Sequence, residues 1–244
     1  MPEQLWFTAI LNHLFAGPVD AFLRAIHIEP RFPSAPISNS AAMELLVFLF
    51  LVIVFALTRA GLSVEKPGIL QHAFEGIHGF ISEQGHEIIG HDADKYTPYL
   101  VILGLFILLS NLLGLIPGFE SPTAVPIVPL GCAVATFVYY HYQGIKKQGV
   151  LHYAAHFAGP MPILAPLMVP IEIVSHLARM LSLTVRLFAN MFAGDMVTLI
   201  FISLVPVGVP IIFMGLHIGV SFIQTYVFVL LTMVYLGGAV GAEH

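Results

Sequence analysis

Charged side chains are scarce in this chain of 244 residues. Lys, Arg, Asp and Glu together make up 9% of it, against roughly 25% in soluble domains. So little charge excludes an ordinary solvated surface, and 58% hydrophobic residues with a mean hydropathy of +0.91 indicate an integral membrane protein. The net charge of -5 comes without a basic patch, which argues against nucleic acid as a partner.

Cysteine is nearly absent as well. Cys132 is the one cysteine, so an internal disulfide is excluded, and its apolar neighbours favour a packed thiol without a redox role. The first 30 residues lack an early basic region and an uninterrupted apolar core, while they carry Glu3 and Asp20. We therefore expect no cleaved signal peptide, and no cofactor is indicated.

Long apolar runs account for most of the sequence and predict an all-α integral membrane protein, a single membrane domain with about five membrane-crossing helices. An N-terminal segment, 1–41, is expected on the outer side of the membrane. The first span covers residues 42–58, a helical hairpin covers 97–140, and two longer tilted helices fill 171–240. Apolar residues at helical spacing in 65–90 predict an amphipathic helix that lies on the membrane surface.

The last two helices are unusually long. Residues 171–204 would measure about 51 Å as one helix, which exceeds a hydrocarbon thickness of about 30 Å. Prolines bracket a turn near residue 206, and 211–238 would form a second helix of about 42 Å. The two helices are therefore expected to be steeply tilted and antiparallel. Gly215 and Gly219, four positions apart, favour close approach of their backbones.

Polar residues repeat every three or four positions along one face of each long helix. In an antiparallel pair with its turn near residue 206, residues at equal depth have numbers that add up to about 412. The predicted pairs are Arg186 with Gln224, Asn190 with Ser221, Asp195 with His217, and His176 with Tyr235. Two polar stripes would then meet inside the membrane.

Arg186 is the most informative residue of these stripes. Its guanidinium stays charged at any ordinary pH, and charged residues at membrane depth usually face a bundle interior or a watery cavity on an ion pathway. On one helix, Glu172 would lie about 21 Å away along the axis, and Asp195 about 13 Å away on the opposite face. The countercharge is therefore expected from another polypeptide, a bound anion or water, and Arg186 would favour ionisation of an approaching carboxyl group.

Plainer explanations exist for some of these residues. Arg186 could be structural, bonded to helix-end carbonyls, and Arg179 could simply extend its side chain to the membrane surface. Asp195 and His217 could form a buried structural pair.

Lysines and arginines set the expected orientation. They occur at positions 59, 66 and 95 between the first and second spans, and at 146 and 147 after the third. Both loops are therefore placed in the cytoplasm, which puts the N-terminus outside and, after two further crossings, the C-terminus inside. Arg24 and Arg31 run against this assignment.

One motif closely resembles subunit a of F-type ATP synthases. It reads Ser182-Leu-x-x-Arg186-Leu-Phe-x-Asn190-Met-x-x-Gly194-Asp195, followed by His217 and Gln224. The resemblance covers essentially the whole chain, including Asn111-Leu-Leu-Gly-Leu-Ile-Pro117 in the predicted hairpin. It implies a non-catalytic stator subunit of a rotary motor in a bacterial-type plasma or inner membrane.

The resemblance also implies partners and residue roles. Arg186 would face the carboxylates of a c-subunit ring and block ion leakage between two offset half-channels. The residues that match the outer half-channel are Asn190, Asp195, His217 and Gln224. Glu172 and Ser182 match positions near the cytoplasmic exit, and His176 lies toward the same end. The other expected partners are a b-type peripheral stalk subunit, the rest of the complex, protons and the lipid bilayer.

Some alternatives stay open at this point. Asp195 stands where many bacterial relatives have Glu, so its contact with His217 could be direct or pass through a water. Proton and sodium coupling are both compatible with the chain, because ion choice would rest mainly with the ring. Two other classes are a secondary ion or solute transporter and a histidine-ligated membrane metalloenzyme. The histidines of the third class would include His141, His152 and His156, which are expected to be solvated because they lie in a loop region.

Overall fold

The computed structural model describes residues 4–25, 27, 32, 34–63, 66–116, 118–150, 152–153, 165–204 and 208–241. These residues form seven α-helices and two short 3-10 helices, and no strand occurs among them. The α-helices are α1 (Trp6–Ala25), α2 (Asn39–Ala60), α3 (Ile69–Ile88), α4 (Thr97–Leu113), α5 (Ile127–Gln148), α6 (Ala165–Leu204) and α7 (Val209–Val240). The predicted all-α fold class is confirmed.

Three of these helices, α2, α6 and α7, are long and apolar enough to cross a membrane. α6 has 40 residues and α7 has 32, which corresponds to lengths of about 60 Å and 48 Å. Both exceed a hydrocarbon layer of about 30 Å, so they cannot stand upright within it. The other two predicted crossings correspond to α4, an apolar helix of 17 residues, and α5, whose C-terminal third is polar.

Three helix boundaries differ from the predicted ones. The N-terminal segment contains α1, which the apolar pattern did not indicate, with Pro18 inside it. α6 begins at Ala165, earlier than the predicted start at 171, and it continues through Pro170, which lies inside the helix. α5 continues past the predicted end at 140 to Gln148, and Gly149 with a φ of 82° ends it. The apolar residues of α5 therefore end before the helix itself ends.

α7 is the central helix of the bundle and packs against α3, α4, α5 and α6. Its Leu236 is fully buried in an apolar cluster with Leu100 of α4 and Tyr140 of α5. Its Phe228 is buried in a second cluster with Leu187 of α6. Lipid tails are as apolar as these side chains, so the hydrophobic effect does not drive helices together within a membrane. Close van der Waals packing of this kind holds them together instead. α7 therefore sets the positions of the helices that surround the polar groups described below.

α3 has the amphipathic character that its sequence predicts. It buries Ile81 and Gly85 and exposes most of its polar residues. Tyr226 of α7 donates a hydrogen bond to Gln84 Oε1 at 3.3 Å, so α3 lies alongside the middle of α7. Its position on the membrane surface stays a prediction.

Asp92, between α3 and α4, connects that loop to the end of α5. One carboxylate oxygen accepts from Lys147 Nζ at 2.8 Å and the other from Lys95 Nζ at 2.7 Å. These two hydrogen bonds, the one from Lys147 first, lower the pKa of Asp92 to about 2. Because the folded pKa lies below the ordinary value of about 4, Asp92 stabilises the fold above that pH, and the contribution is lost as the pH falls toward 2.

Replacing Asp92 with asparagine should slightly lower the melting temperature of the purified complex at pH 7. The difference from the unmodified protein should shrink below about pH 4 and in high salt, because the two ion pairs are exposed and screened. Glu83→Gln is the control, since Glu83 is exposed and forms no ion pair with the described residues. A difference that persists at pH 2 would show that Asp92 acts through its shape instead of its charge.

Candidate functional site

α6 and α7 run antiparallel, and polar side chains meet between them. Asn190 Nδ2 donates to Gln224 Oε1 at 2.7 Å, and Asp195 Oδ1 lies 3.8 Å from His217 Nδ1. The residue numbers of these pairs add up to 414 and 412, close to the predicted 412. The sequence-based register is therefore confirmed at Asp195 and His217, and it is off by three positions at Asn190, which pairs with Gln224 instead of Ser221.

The His217 cluster consists of Asn190, Asp195, His217 and Gln224. It borders a cavity of about 260 Å³ whose walls include Asn190, Gly194 and His217. His217 Nε2 and Gln224 Nε2 are buried and have no hydrogen-bond partner among the described residues. Buried polar atoms of this kind are normally satisfied by water or by a bound group. The cluster thus combines a cavity with polar atoms that can hold water.

Gly194 determines where the His217 ring lies. A Cβ atom added at Gly194 would stand 2.6 Å from Nδ1 and 2.9 Å from Cε1 of His217. His217 is 4% exposed, so its ring could move only within the protein interior. At Gly215 and Gly219, by contrast, no atom of the described residues lies within 4 Å of an added Cβ. The predicted close backbone approach at Gly215 and Gly219 is wrong, because the α6 contact lies on the His217 face of α7.

Asp195 and His217 do not form a direct hydrogen bond. Their closest nitrogen and oxygen atoms are 3.8 Å apart, within ion-pair range and beyond hydrogen-bond range. The Asp195 side chain is 26% exposed, whereas that of His217 is 3% exposed. Asp195 is therefore the more accessible member of the pair.

The His176 cluster lies toward the other end of the helix pair and consists of Tyr140, Glu172, His176, Arg179 and Tyr235. His176 Nε2 lies 3.2 Å from Glu172 Oε1 one turn earlier on α6. His176 Nδ1 is hydrogen-bonded to the Tyr140 hydroxyl of α5 at 2.8 Å. The Arg179 guanidinium lies over the Tyr235 ring, 5.3 Å from its centre. His176 therefore faces α5 and Arg179 contacts the Tyr235 ring, while His176 and Tyr235, predicted at equal depth, line the same cavity.

A cavity of about 110 Å³ adjoins this second cluster. Its walls are formed by Gln148, Tyr153, Glu172, His176, Arg179, Tyr235, Gly238 and Ala239. Tyr153, which follows α5, is hydrogen-bonded to His141 Nδ1 at 2.6 Å. His141 lies within α5 and is partly buried, so its predicted solvated loop position is wrong, whereas His152 is exposed and His156 lies outside the described residues.

Arg186 lies between the two clusters. It is partly exposed, and it forms no hydrogen bond or ion pair with any residue in the described ranges. Its predicted partner at equal depth, Gln224, has its amide oxygen occupied by Asn190. Ser182, one turn before Arg186, is exposed.

The face of α6 beside Arg186 is not covered by the described part of the chain. Val185, Ala189 and Phe192 are exposed there, whereas Leu187 and Met191 on the opposite side are fully buried. The Arg186 guanidinium thus lies at the edge of an exposed apolar surface of α6. An exposed apolar surface is typical of a contact with another protein in the membrane.

Sequence reasoning missed the contribution of α5. Tyr140 and His141 are adjacent on one helix, and they form hydrogen bonds with His176 and Tyr153, respectively. The only signal in the sequence was a pair of hydrogen-bonding side chains at the end of an apolar run. Within the described residues, no three His, Cys, Asp or Glu side chains lie close enough together to hold a metal ion.

The fold and these clusters define a class of membrane proteins in which buried ionisable groups lie between long tilted helices. Ionisable groups in such positions are typical of ion pathways. The family model described as ATP synthase A chain matches residues 41–237, and the chain belongs to this family. It is a membrane subunit of an ATP synthase complex, in the F0 sector, with a stator role in proton translocation.

Similar proteins support the same assignment along the whole length. ATP synthase subunit a of Koribacter versatilis (strain Ellin345) is 58% identical over 244 residues, which cover 100% of both chains. The protein of the same name from Solibacter usitatus (strain Ellin6076) is 51% identical over 235 residues, 96% of this chain and 100% of the relative. That from a Nitratiruptor species is 41% identical over 209 residues, 84% of this chain and 92% of the relative.

Proposed function

We propose that this chain provides two offset proton half-channels of a rotary ATP synthase, with Arg186 as the fixed charge that faces the carboxylates of a c-subunit ring. The position of Arg186 carries the proposal. It stands between two polar clusters, on a face of α6 that the described residues leave uncovered, and it has no ion pair with any of them. A buried or lipid-facing cation needs a negative partner. A ring that moves past α6 would supply one carboxylate after another.

The His217 cluster would be the outer half-channel and the His176 cluster, together with Ser182, the cytoplasmic one. Asn190 lies one helical turn from Arg186, about 6 Å along the axis, and Glu172 lies about 21 Å away in the other direction. Each cluster borders its own cavity. Two polar routes that end on opposite sides of a fixed cation cannot pass a proton straight through, because the cation repels it.

The proposed cycle needs no catalytic chemistry in this chain. A proton enters past Asp195 and His217 and neutralises a ring carboxylate, which then travels through the lipid as a neutral acid. On return, Arg186 favours ionisation of that acid, and the proton leaves toward Glu172. Each proton that crosses a potential of 100 mV releases about 2.3 kcal/mol, so several must cross for each ATP that the complex makes.

The remaining expectations follow from the same assignment. A b-type peripheral stalk subunit would hold the chain still against the turning ring. The chain would lie in a bacterial-type plasma or inner membrane, with its N-terminus outside and its C-terminus in the cytoplasm, as the Lys and Arg positions indicate.

Proton movement should require the ring. The purified complex, reconstituted in vesicles, should acidify them when ATP is added, whereas vesicles that contain this chain alone should not transport protons or solutes. The complex should also contain an oligomeric, very hydrophobic small subunit bound to this chain. Fluorescence of a pH-sensitive dye and protein analysis of the complex measure the two results. Transport by the isolated chain would contradict the proposal and favour a secondary transporter.

A further inference from the structure

His176 has a polar partner at each ring nitrogen, an ion-pair partner at Nε2 and a hydrogen-bond partner at Nδ1. Nε2 lies 3.2 Å from Glu172 Oε1, and Nδ1 is 2.8 Å from the Tyr140 hydroxyl oxygen. The ring is 9% exposed, and it forms part of the wall of the 110 Å³ cavity. It is therefore shielded from lipid on the α5 side and accessible from the cavity.

These two partners suit both charge states of the imidazole. When His176 is neutral and Glu172 is ionised, Nε2–H faces the carboxylate at 3.2 Å and Nδ1 accepts from the Tyr140 O–H. When the ring takes up a proton, Nδ1–H becomes a donor, and the Tyr140 hydroxyl can rotate so that its oxygen accepts. Tyr140 thus satisfies the ring before and after protonation, and Glu172 balances the added charge.

Groups from several parts of the chain surround the His176 ring. Its own helix contributes Glu172 and Arg179, α5 contributes Tyr140 and His141, the segment after α5 contributes Tyr153, and α7 contributes Tyr235. The His141 ring centre lies 4.8 Å from that of His176. His141 is in turn hydrogen-bonded to Tyr153, so hydroxyl groups contact both histidines of the pair.

We propose that His176 is a proton-loading group of the cytoplasmic half-channel and that Tyr140, on α5, is the positioning residue that lets it change charge. The inference rests on the proposed function, and it extends the ion path to a third helix. The step is a reversible protonation of one ring nitrogen. One N–H bond forms when a proton arrives from the cavity and breaks when the proton leaves, and ionised Glu172 supplies the countercharge.

Tyr140→Phe tests the positioning role in the whole complex, reconstituted in vesicles with ATP added outside. The variant keeps the ring that packs in the core and removes only the hydroxyl. ATP-driven pumping at pH 7 should fall about tenfold, the factor expected from one lost hydrogen bond to a charged group. The external pH of half-maximal pumping should also shift by about one unit toward acid, because an imidazolium without that partner needs a higher proton concentration to form.

Tyr142→Phe is the matched control. It removes the same hydroxyl from the same helix, but Tyr142 is 59% exposed. Its pumping rate and its pH profile should equal those of the unmodified complex. Subunit content and ATP hydrolysis, measured for every variant, confirm that the complexes have assembled.

His176→Gln tests the loading role with a side chain that can form hydrogen bonds and cannot carry the proton. Pumping should fall on the order of a hundredfold, the lower end of the effect of a positioned acid–base group. Imidazole added on the ATP side should restore part of the rate, and it should have no effect on Tyr142→Phe.

The outcomes separate this inference from the proposed function. Normal rates and an unchanged pH profile for Tyr140→Phe and His176→Gln, together with loss of pumping in Arg186→Ala, would overturn the inference alone. A loss of pumping in both variants with an unchanged pH profile and no rescue by imidazole would also overturn it, because a purely structural role predicts that result. Normal pumping in Arg186→Ala would overturn the proposed function itself.

Discussion

Replacing Arg186 with alanine should reduce ATP-driven proton pumping by about a thousandfold, to the background of empty vesicles. A carboxylate about 4 Å from a guanidinium gains about 4 kcal/mol at an effective dielectric constant of about 20. Since about 1.4 kcal/mol corresponds to a factor of ten, loss of the cation would remove about three powers of ten from the ionisation of each ring carboxyl group. Dye-monitored acidification of vesicles that contain the whole complex measures the effect.

Arg179→Ala is the matched control for this prediction. Arg179 lies on the same helix, two turns earlier, and its guanidinium already has a partner in the Tyr235 ring, 5.3 Å from the ring centre. Its loss should reduce pumping only several-fold, because a cation–π contact contributes about 0.5 to 2 kcal/mol. Equal losses in both variants would mean that any cation on α6 suffices, and undiminished pumping by Arg186→Ala would reject the assignment.

Replacing Gly194 with alanine should also impede proton passage through the outer half-channel, with a loss of ATP-driven pumping of about tenfold or more. The added Cβ would stand 2.6 Å from His217 Nδ1, so the buried ring would have to leave its position beside Asp195. Overpacking of this kind costs about 1 to 3 kcal/mol in stability, and displacement of a reacting group by about 1 Å can cost about a hundredfold in rate. Pumping rate and melting temperature of the complex are the two measurements.

Two further variants test whether the loss of pumping in Gly194→Ala comes from the steric clash with His217. Gly215→Ala adds the same methyl group two residues before His217, at a place where the described part of the chain has no atom within 4 Å, and it should leave both measurements unchanged. The double variant Gly194→Ala, His217→Ala removes the ring that the methyl group would meet. It should recover melting temperature without recovering pumping. If pumping returned as well, His217 would not be part of the proton path.

Sequence patterns predicted the elements whose signal is local. Apolar runs identified α2, α6 and α7 because crossing a hydrocarbon layer requires a minimum length of apolar helix. The Asp195 and His217 contact was also predictable, since a short turn between two antiparallel helices leaves little freedom in which residues lie at equal depth. These predictions use only distances along the chain.

Other features could not be read in the same way. α1 lacks a long uninterrupted apolar run, since Asn12, Pro18 and Asp20 fall within it. Asn12 holds it through two hydrogen bonds with the backbone of Ile37, 25 residues away. The close contact of α6 and α7 occurs at Gly194 and not at Gly215, because the rotation of each helix about its axis determines which glycine faces its neighbour. Spacing alone leaves that rotation open.

The sequence by itself determined that this is a membrane protein of long helices. It also determined that an arginine lies among apolar residues with no carboxylate within reach on its own helix. Charge content, apolar length and residue spacing are properties of the linear chain, so they need no tertiary structure. Only the tertiary structure decided which polar groups share a cavity. His176 is hydrogen-bonded to Tyr140 of α5, which lies 36 positions earlier in the sequence. Contacts between helices distant in the sequence depend on how each is rotated and tilted within the bundle, and packing around α7 decides both.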